Sequence, residues 1–365
     1  MIKNYIGWKT KKRIVVFESD DWGSFRFKNK EIRDRYIKTY DPKLWMHYND
    51  CFESFEDLKQ LDCTLKKFKD KKNNPPSFTF LMNPVNPDFH KIKNDNYNNY
   101  YYERFDETLD KRKDGKQIFE WYKSAIHNNL IEVAFHGREH LNVHSWMKDL
   151  KNRESVTLDG FANRIWGQGV LEFPKNSSYR YRSTFQISKH DELDYLKSSI
   201  LDGVDIINKM FNQKTTYFLA PDGPYHLSLN STLVKSGLKY IGLRKLHKNP
   251  LEEKWYQNKY FWLGKKTKEG LRVITRNVIF EPNSPRYKDW LTFALGEVEK
   301  AFKYNNPAVI CTHRANYVGG LNPDNREHGL ELLEKFITAL LHKWPNVEFM
   351  TSSALGELIS NHKNA

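Results

Sequence analysis

Cysteine is nearly absent. The 365 residues hold three, Cys51, Cys63 and Cys311, with no close Cys-x-x-Cys pair. That excludes a disulfide framework. No apolar run approaches the length of a membrane-spanning helix. The opening residues, Met1-Ile2-Lys3-Asn4-Tyr5-Ile6-Gly7-Trp8, carry no apolar signal stretch before the first strand. These absences set the expectation of a soluble cytoplasmic protein, with membrane contact peripheral at most. Internal repeats and low-complexity linkers are also missing. So is any zinc-finger, helix-turn-helix or RNA-binding signature, which leaves nucleic-acid binding resting on charge alone.

That charge is substantial. Lys+Arg is 59 and Asp+Glu is 45, a net +14, which favours an acidic partner: an anionic glycan, a membrane face or nucleic acid. The basic residues are scattered, however, and much of the excess reads as solvated surface. Aromatics reach 15%, as suits a carbohydrate cleft or an ordinary core. The length fits one large α/β domain with insertions, or two smaller ones. A single domain over residues 1–365 is expected, with an insertion or lid at 141–190.

Strand-like and helix-like stretches alternate along the chain. Arg13-Ile14-Val15-Val16-Phe17 is short, apolar and β-branched, as a buried strand is. Leu130-Ile131-Glu132-Val133-Ala134-Phe135 and Ala308-Val309-Ile310-Cys311-Thr312 read alike. Leu193, Leu196, Ile200, Val204, Ile207 and Phe211 keep helical spacing. Residues 88–107, rich in Asn and Tyr, read as a loop. Alternation of this kind predicts a parallel α/β fold, a distorted barrel of about seven strands.

Polar residues gather where those strands end. Asp20-Asp21-Trp22-Gly23 follows the first strand. Adjacent carboxylates repel unless a cation or proton separates their roles, so the pair suggests a metal ligand beside a base; the plain alternative is a solvated turn. His136-Gly137-Arg138-Glu139-His140 follows the third strand. Its i, i+4 spacing would set both imidazoles on one side of a helical turn. With 13 His in the chain, roughly half of one such pair arises by chance. Placement is the stronger signal, because a parallel barrel brings all its strand ends to one face. Ala220-Pro221-Asp222-Gly223-Pro224-Tyr225 and His313-Arg314 also follow predicted strands.

In this order the four stretches resemble the polysaccharide deacetylase family, carbohydrate esterase family 4, with its NodB-like homology domain. Glu18-Ser19-Asp20-Asp21-Trp22-Gly23 matches the family's Thr-Phe-Asp-Asp-Gly motif, with Trp22 interposed. His136 to His140 matches His-Ser/Thr-x-x-His. The stretch from Ala220 to Tyr225 matches an Arg-x-Pro-Tyr motif, with Ala220 where the arginine would stand. Ile310-Cys311-Thr312-His313 matches the final Leu-x-His motif. Asp289-Trp290 is a loose candidate for the motif built on Asp and Trp.

The resemblance implies a metal-dependent hydrolase removing acetyl groups from a sugar or polysaccharide intermediate, as in surface polysaccharide biosynthesis. Asp21, His136 and His140 would hold a divalent metal, zinc by default, although the same trio suits non-haem iron. Asp20 would be the general base and His313 the general acid. Pro224, Tyr225 and Arg314 would contact substrate or the oxyanion, with backbone N–H groups around Gly223 to Tyr225. Arg276, Arg314 or Arg138 would replace the missing motif arginine. The substrate would be an acetylated carbohydrate, with anionic and lipid-linked forms both open. The alternative is a catalytically silent, deacetylase-like glycan-binding protein.

Overall fold

Strand β1 (Arg13–Trp22) is buried along all but its first residue, and the sheet is arranged about it. The computed structural model describes residues 6–37, 44–166, 181–251 and 256–362. The strands after β1 are β2 (Phe78–Met82), β3 (Val85–Pro87), β4 (Tyr102–Arg104), β5 (Ile131–Phe135), β6 (Tyr217–Leu219) and β7 (Tyr240–Gly242). Then come β8 (Leu246–Pro250), β9 (Tyr256–Tyr260), β10 (Arg272–Ile274), β11 (Val278–Ile279), β12 (Ala308–His313) and β13 (Val347–Phe349). One sheet runs in the order β10-β7-β6-β5-β2-β1-β12-β11, and β13 pairs with the lower end of β1. Its pairings are all parallel. β3/β4 and β8/β9 are separate antiparallel hairpins.

β10 and β11 lie at opposite edges of that order, yet only residues 275–277 separate them in the chain. Four peptide steps reach at most about 14 Å, so the sheet must curl until its edges nearly meet. The fold is therefore α/β, with a curled, half-open parallel sheet that resembles a distorted (β/α) barrel with helical insertions. This agrees with the alternation in the sequence. The strand count exceeds the expected seven, partly because two-residue β11 is too short to carry a pattern.

β1 alternates between two cores. Ile14 and Val16 face inward with Leu81, Ala134, Ile274 and Val309, closed below by Trp8 and Leu355. Val15 and Phe17 face outward to the helices, against Leu58, Ile118 and Phe336. Each fully buried side chain of this size contributes about 1.5–3 kcal/mol. A one-residue slip would exchange the faces and drive Glu18 and Asp20 into the apolar outer layer, so the register is strongly fixed.

One sequence reading changes. Residues 88–107 are not a plain loop: they hold the helix Phe89–Asn94 and strand β4. The stretch 141–190 contains the helices Val143–Lys151 and Ser155–Ala162. Their Trp146, Leu150 and Phe161 form a satellite core with Phe89 and Tyr181. Residues 167–180 of that stretch lie outside the described residues. No helix among the described residues is long and apolar enough to cross a membrane.

The helix Pro323–Lys343 approaches the end of β12 very closely. A Cβ on its Gly329 would lie 1.8 Å from the Asn316 carbonyl oxygen, an atom fixed in the backbone. Gly329→Ala should therefore destabilise the protein by at least about 1–3 kcal/mol, the usual cost of overpacking. Thermal unfolding followed by circular dichroism checks this; an unchanged or higher Tm would show that the helix is free to shift away.

Candidate metal centre and active site

Regular alternation would send Asp20 and Asp21 to opposite faces of β1. A bulge prevents this. β1 and β2 pair at Ser19↔Phe80 and resume at Trp22↔Met82, so three steps on one strand match two on the other. Ser19 and Trp22 both stay outside, where the Trp22 indole stacks on Phe80 at 3.7 Å and donates to Ser19 Oγ at 3.0 Å. The two carboxylates share the inner place that one residue would occupy. Asp21 adopts a φ of 77°, a left-handed conformation costing a non-glycine residue about 1–2 kcal/mol. Gly23 follows at a φ of 79°, where a Cβ would meet the Asn83 carbonyl oxygen at 2.6 Å.

Asp21 Oδ1 lies 3.0 Å from His140 Nε2 and 3.5 Å from His136 Nε2. The three donors are buried and lie within 4.8 Å of one another. Two ligands of one zinc-sized ion sit roughly 3.4 Å apart in tetrahedral geometry, so this spacing fits a shared cation. The tautomer fits too. His136 Nδ1 lies 2.7 Å from the Leu219 carbonyl oxygen, which can only accept, so Nδ1 carries the proton and Nε2 turns its lone pair toward Asp21. His140 stacks on Trp166, with ring centroids 5.8 Å apart. Two imidazoles and one carboxylate make a divalent-metal site with positions left open, as in catalytic rather than structural centres.

The histidines converge by another route than the expected helical turn. The backbone from His136 to Asn142 is not helical. Gly137 turns the chain at a φ of 92°, and the Asn83 side chain donates to the carbonyls of His136 and Gly137 at 2.7 and 3.1 Å. A clamped loop thus brings the imidazoles to 5.6 Å between centroids.

A buried chain of alternating charges supports Asp21. Arg26 donates to Asp21 Oδ2 and to Asp50 Oδ2, both at 2.8 Å. Arg314 bonds Asp50 at 2.9 Å and Glu53 at 2.8 Å. Glu53 in turn accepts from the Tyr122 hydroxyl at 2.7 Å and from the Gly23 N–H at 3.2 Å. Burial alone would raise the Asp21 carboxyl. The neighbouring His140 and Arg26 outweigh it and hold Asp21 well below the usual carboxylate range.

Asp20 has different partners. Arg276 grips both its oxygens, Nη1 reaching Oδ2 at 2.8 Å, and also donates to Glu18. Of the three arginines weighed as the replacement, Arg276 is the one paired with Asp20. Burial would raise the Asp20 carboxyl, but Arg276, His313 and His136 together hold it low. His313 Nε2 stands 3.7 Å from Asp20 Oδ2, and its Nδ1 lies 2.6 Å from Glu281 Oε1. Glu281 is held by Asn316 Nδ2 at 2.7 Å. Burial would lower the His313 pKa; Glu281, Asp20 and Asp21 reverse this and raise it to about 10. His313 therefore carries a proton at neutral pH while Asp20 carries none. Glu281, Cys311 and His313 form a second group of possible donors. The Arg276 guanidinium 3.0 Å from Cys311 Sγ would repel a cation there, so the Asp21 trio is the better metal site.

Of the three expected substrate contacts, two are enclosed. Arg314 is fully buried between Asp50 and Glu53 and presents no face to a substrate, a correction that follows from its ion pairs. Tyr225 is buried against Phe185 and Phe218 and donates to Asn230 at 3.1 Å. Pro224 is half-buried. The nearby Gly223 N–H already bonds the Pro221 carbonyl at 2.6 Å. Arg138 is likewise engaged, by Glu139 and Asp202.

No family model matches the chain, and no curated protein does. Among solved structures it is similar to a 4-alpha-glucanotransferase from Thermococcus litoralis, at 12% identity and a TM-score of 0.47, covering 94% of this chain. This chain spans only 40% of that protein's length. It is similar to Puue allantoinase at 9% identity and a TM-score of 0.49, covering 98% of this chain and 94% of the other. A probable polysaccharide deacetylase from Pseudomonas aeruginosa gives 10% identity and a TM-score of 0.48, covering 96% and 93%. Likenesses this distant do not choose among such different activities, and the functional reading comes from the site itself.

His136→Ala and His140→Ala should each weaken zinc binding by more than the roughly 10–100-fold typical of outer-shell partners, with the far-ultraviolet circular dichroism unchanged. Metal content after dialysis and calorimetric titration measure this. Parent-like zinc affinity in both variants would remove the site.

Proposed function

We propose that this chain is a metal-dependent deacetylase of the polysaccharide-deacetylase type, acting on an acetylated carbohydrate. The observation that carries the reading is the division of labour between adjacent carboxylates. Asp21 faces two imidazoles, while Asp20 faces an arginine and a protonated histidine. Neighbouring acids with opposed environments are the mark of separate chemical roles.

Zinc suits the Asp21, His136 and His140 donor set, and such an ion supplies Lewis-acid activation of water and polarisation of the acyl carbonyl. The chain's own groups do the rest. Asp20, ionised and oriented by Arg276, takes the proton of the attacking water. His313, charged and held by Glu281, gives a proton to the departing amine or alcohol. Its side chain is 23% exposed, against 7% or less for Asp20 and the metal donors, which supports the sugar lying on the His313 side. Ala220 stands where the motif arginine would, and Arg276, from another strand end, supplies the cation that pairs with Asp20, which favours the enzyme over the glycan-binding alternative. Arg138 and Arg314, which stand close to His140 and His313 in the sequence, are held in internal ion pairs, so neither is available to attract an anionic substrate.

Asp20→Asn should keep the metal and lose roughly 10²–10⁴-fold in kcat, the usual contribution of a general base. Acetate release from acetylated chito-oligosaccharides measures it, and full activity would reject the role.

Glu281→Gln offers a sharper test. Without that carboxylate the His313 pKa falls from about 10, so the alkaline limb of the kcat profile should move to lower pH. A limb that stays in place would exclude His313 as the acid. The linkage has the matching sign. A histidine raised from 6.5 to about 10 adds stability that is full below pH 6.5 and is lost as the pH climbs through 10.

A further inference from the structure

A cavity of about 560 Å³ lies away from the metal donors, lined by Tyr48, Tyr287, Trp290, Asn322, Asp324 and His328 among others. Its volume falls within the range of small-ligand sites, roughly 300–1,000 Å³. Its lining mixes aromatic rings with amide, carboxylate and imidazole groups, the donors and acceptors that a polyhydroxylated ring requires. Asp289-Trp290, the loose motif candidate of the sequence, lies here and not at the metal.

The cavity is tied to the candidate acid. Its wall residues Pro282 and Asn283 directly follow Glu281, the partner of His313. Two residues reach at most about 7 Å. Asn316 makes the second link: Nδ2 donates to Glu281 and to the His313 carbonyl at 3.0 Å, and Oδ1 accepts from the Asn283 N–H at 3.2 Å. The Asn283 side chain donates back to the Asn316 carbonyl at 3.0 Å. The cavity thus adjoins the side of the centre on which the leaving group would be protonated.

The charge of the lining narrows the ligand. Asp289 and Asp324 stand against the single ammonium of Lys288. A sugar carrying a carboxylate or phosphate would meet repulsion, whereas a neutral or amino-bearing one would not.

We propose that this cavity is a saccharide subsite. It takes a neutral or amino-bearing sugar residue of an oligomeric substrate whose acetylated unit lies beside His313. The proposal rests on the deacetylase reading for its register, but its binding test stands apart from that chemistry.

Tri-N-acetylchitotriose is the probe, with the full-length zinc-loaded protein. Saturation-transfer NMR and calorimetry should show it bound. Tyr287→Ala and the milder surface change Asp324→Asn should each weaken it at least tenfold. In both variants kcat/KM for the trimer should fall at least tenfold relative to kcat/KM for 4-nitrophenyl acetate, which cannot span the two places. A uronate-containing acetylated tetrasaccharide should bind at least tenfold more weakly than the trimer. Failure of the parent to bind the trimer, parent-like affinity in both variants, or tighter binding of the acidic sugar would each overturn the subsite. Trimer binding that depends on Tyr287 and Asp324 without any acetate release would leave the subsite standing and remove the deacetylase reading. Acetate release with an unchanged substrate ratio would do the reverse.

Discussion

The guanidinium of Arg276 joins the fold to the chemistry. It stands between β10 and β11, the two edges of the curled sheet, and reaches across to Glu18 and Asp20 on the central strand. Two buried carboxylates on the inner face of one strand would repel each other and pay heavily for desolvation if left alone. One planar cation with five fixed donors satisfies both. The same contact orients Asp20 and holds it ionised. Closure of the sheet and readiness of the base therefore depend on one interaction, and loss of Arg276 would expose the protein to both penalties.

Polar pairing continues below this pair. Glu18 accepts from Ser352 Oγ at 2.6 Å, and the Ser352 N–H donates to Thr79 Oγ1 at 2.9 Å. Ser353 does the same for Glu132 with its N–H at 3.1 Å. These serines open the helix Ser352–Asn361, so its N-terminal amides and dipole face the inner carboxylates. The inside of the curl is thus apolar where Ile14, Val16 and Val309 meet and polar toward its mouth. Glu18, Asp20, Asp21 and Glu132, the inner carboxylates, each accept a hydrogen bond.

Much of this was legible in the sequence because strand ends carry strong local patterns. Asp20, Asp21, His136, His140 and His313 each follow an apolar run, and parallel alternation brings such ends together. The route was less legible. The histidine spacing suggested a helical turn, but Gly137 and the Asn83 clamp make a loop. The bulge that turns Asp21 inward depends on pairing with β2, which no single stretch encodes. Arg26, Asp50, Glu53 and Glu281 went unnoticed for a similar reason. They come from loops, Glu281 from the one that follows two-residue β11, and their charges look like solvated surface until long-range packing joins them. Arg314 erred in the opposite direction: adjacency to His313 suggested the site, whereas the strand end turns it back into the buried charge chain.

Exposure separates the two halves of the centre, and that asymmetry has a chemical consequence. The metal donors lie on the dry side, backed by Arg26 and the Asp50–Arg314–Glu53 chain, where low dielectric strengthens every charge interaction. His313 stands on the wetter side with Glu281. An acid must recover its proton after each turnover, and contact with water allows that. A metal-ligating carboxylate must instead keep one geometry, and burial among fixed partners secures it. The bulge in β1 makes this division possible, because it sets two carboxylates on one face only one residue apart and gives each a different surrounding. A regular strand would have offered the centre a single carboxylate and left the other among the outer helices.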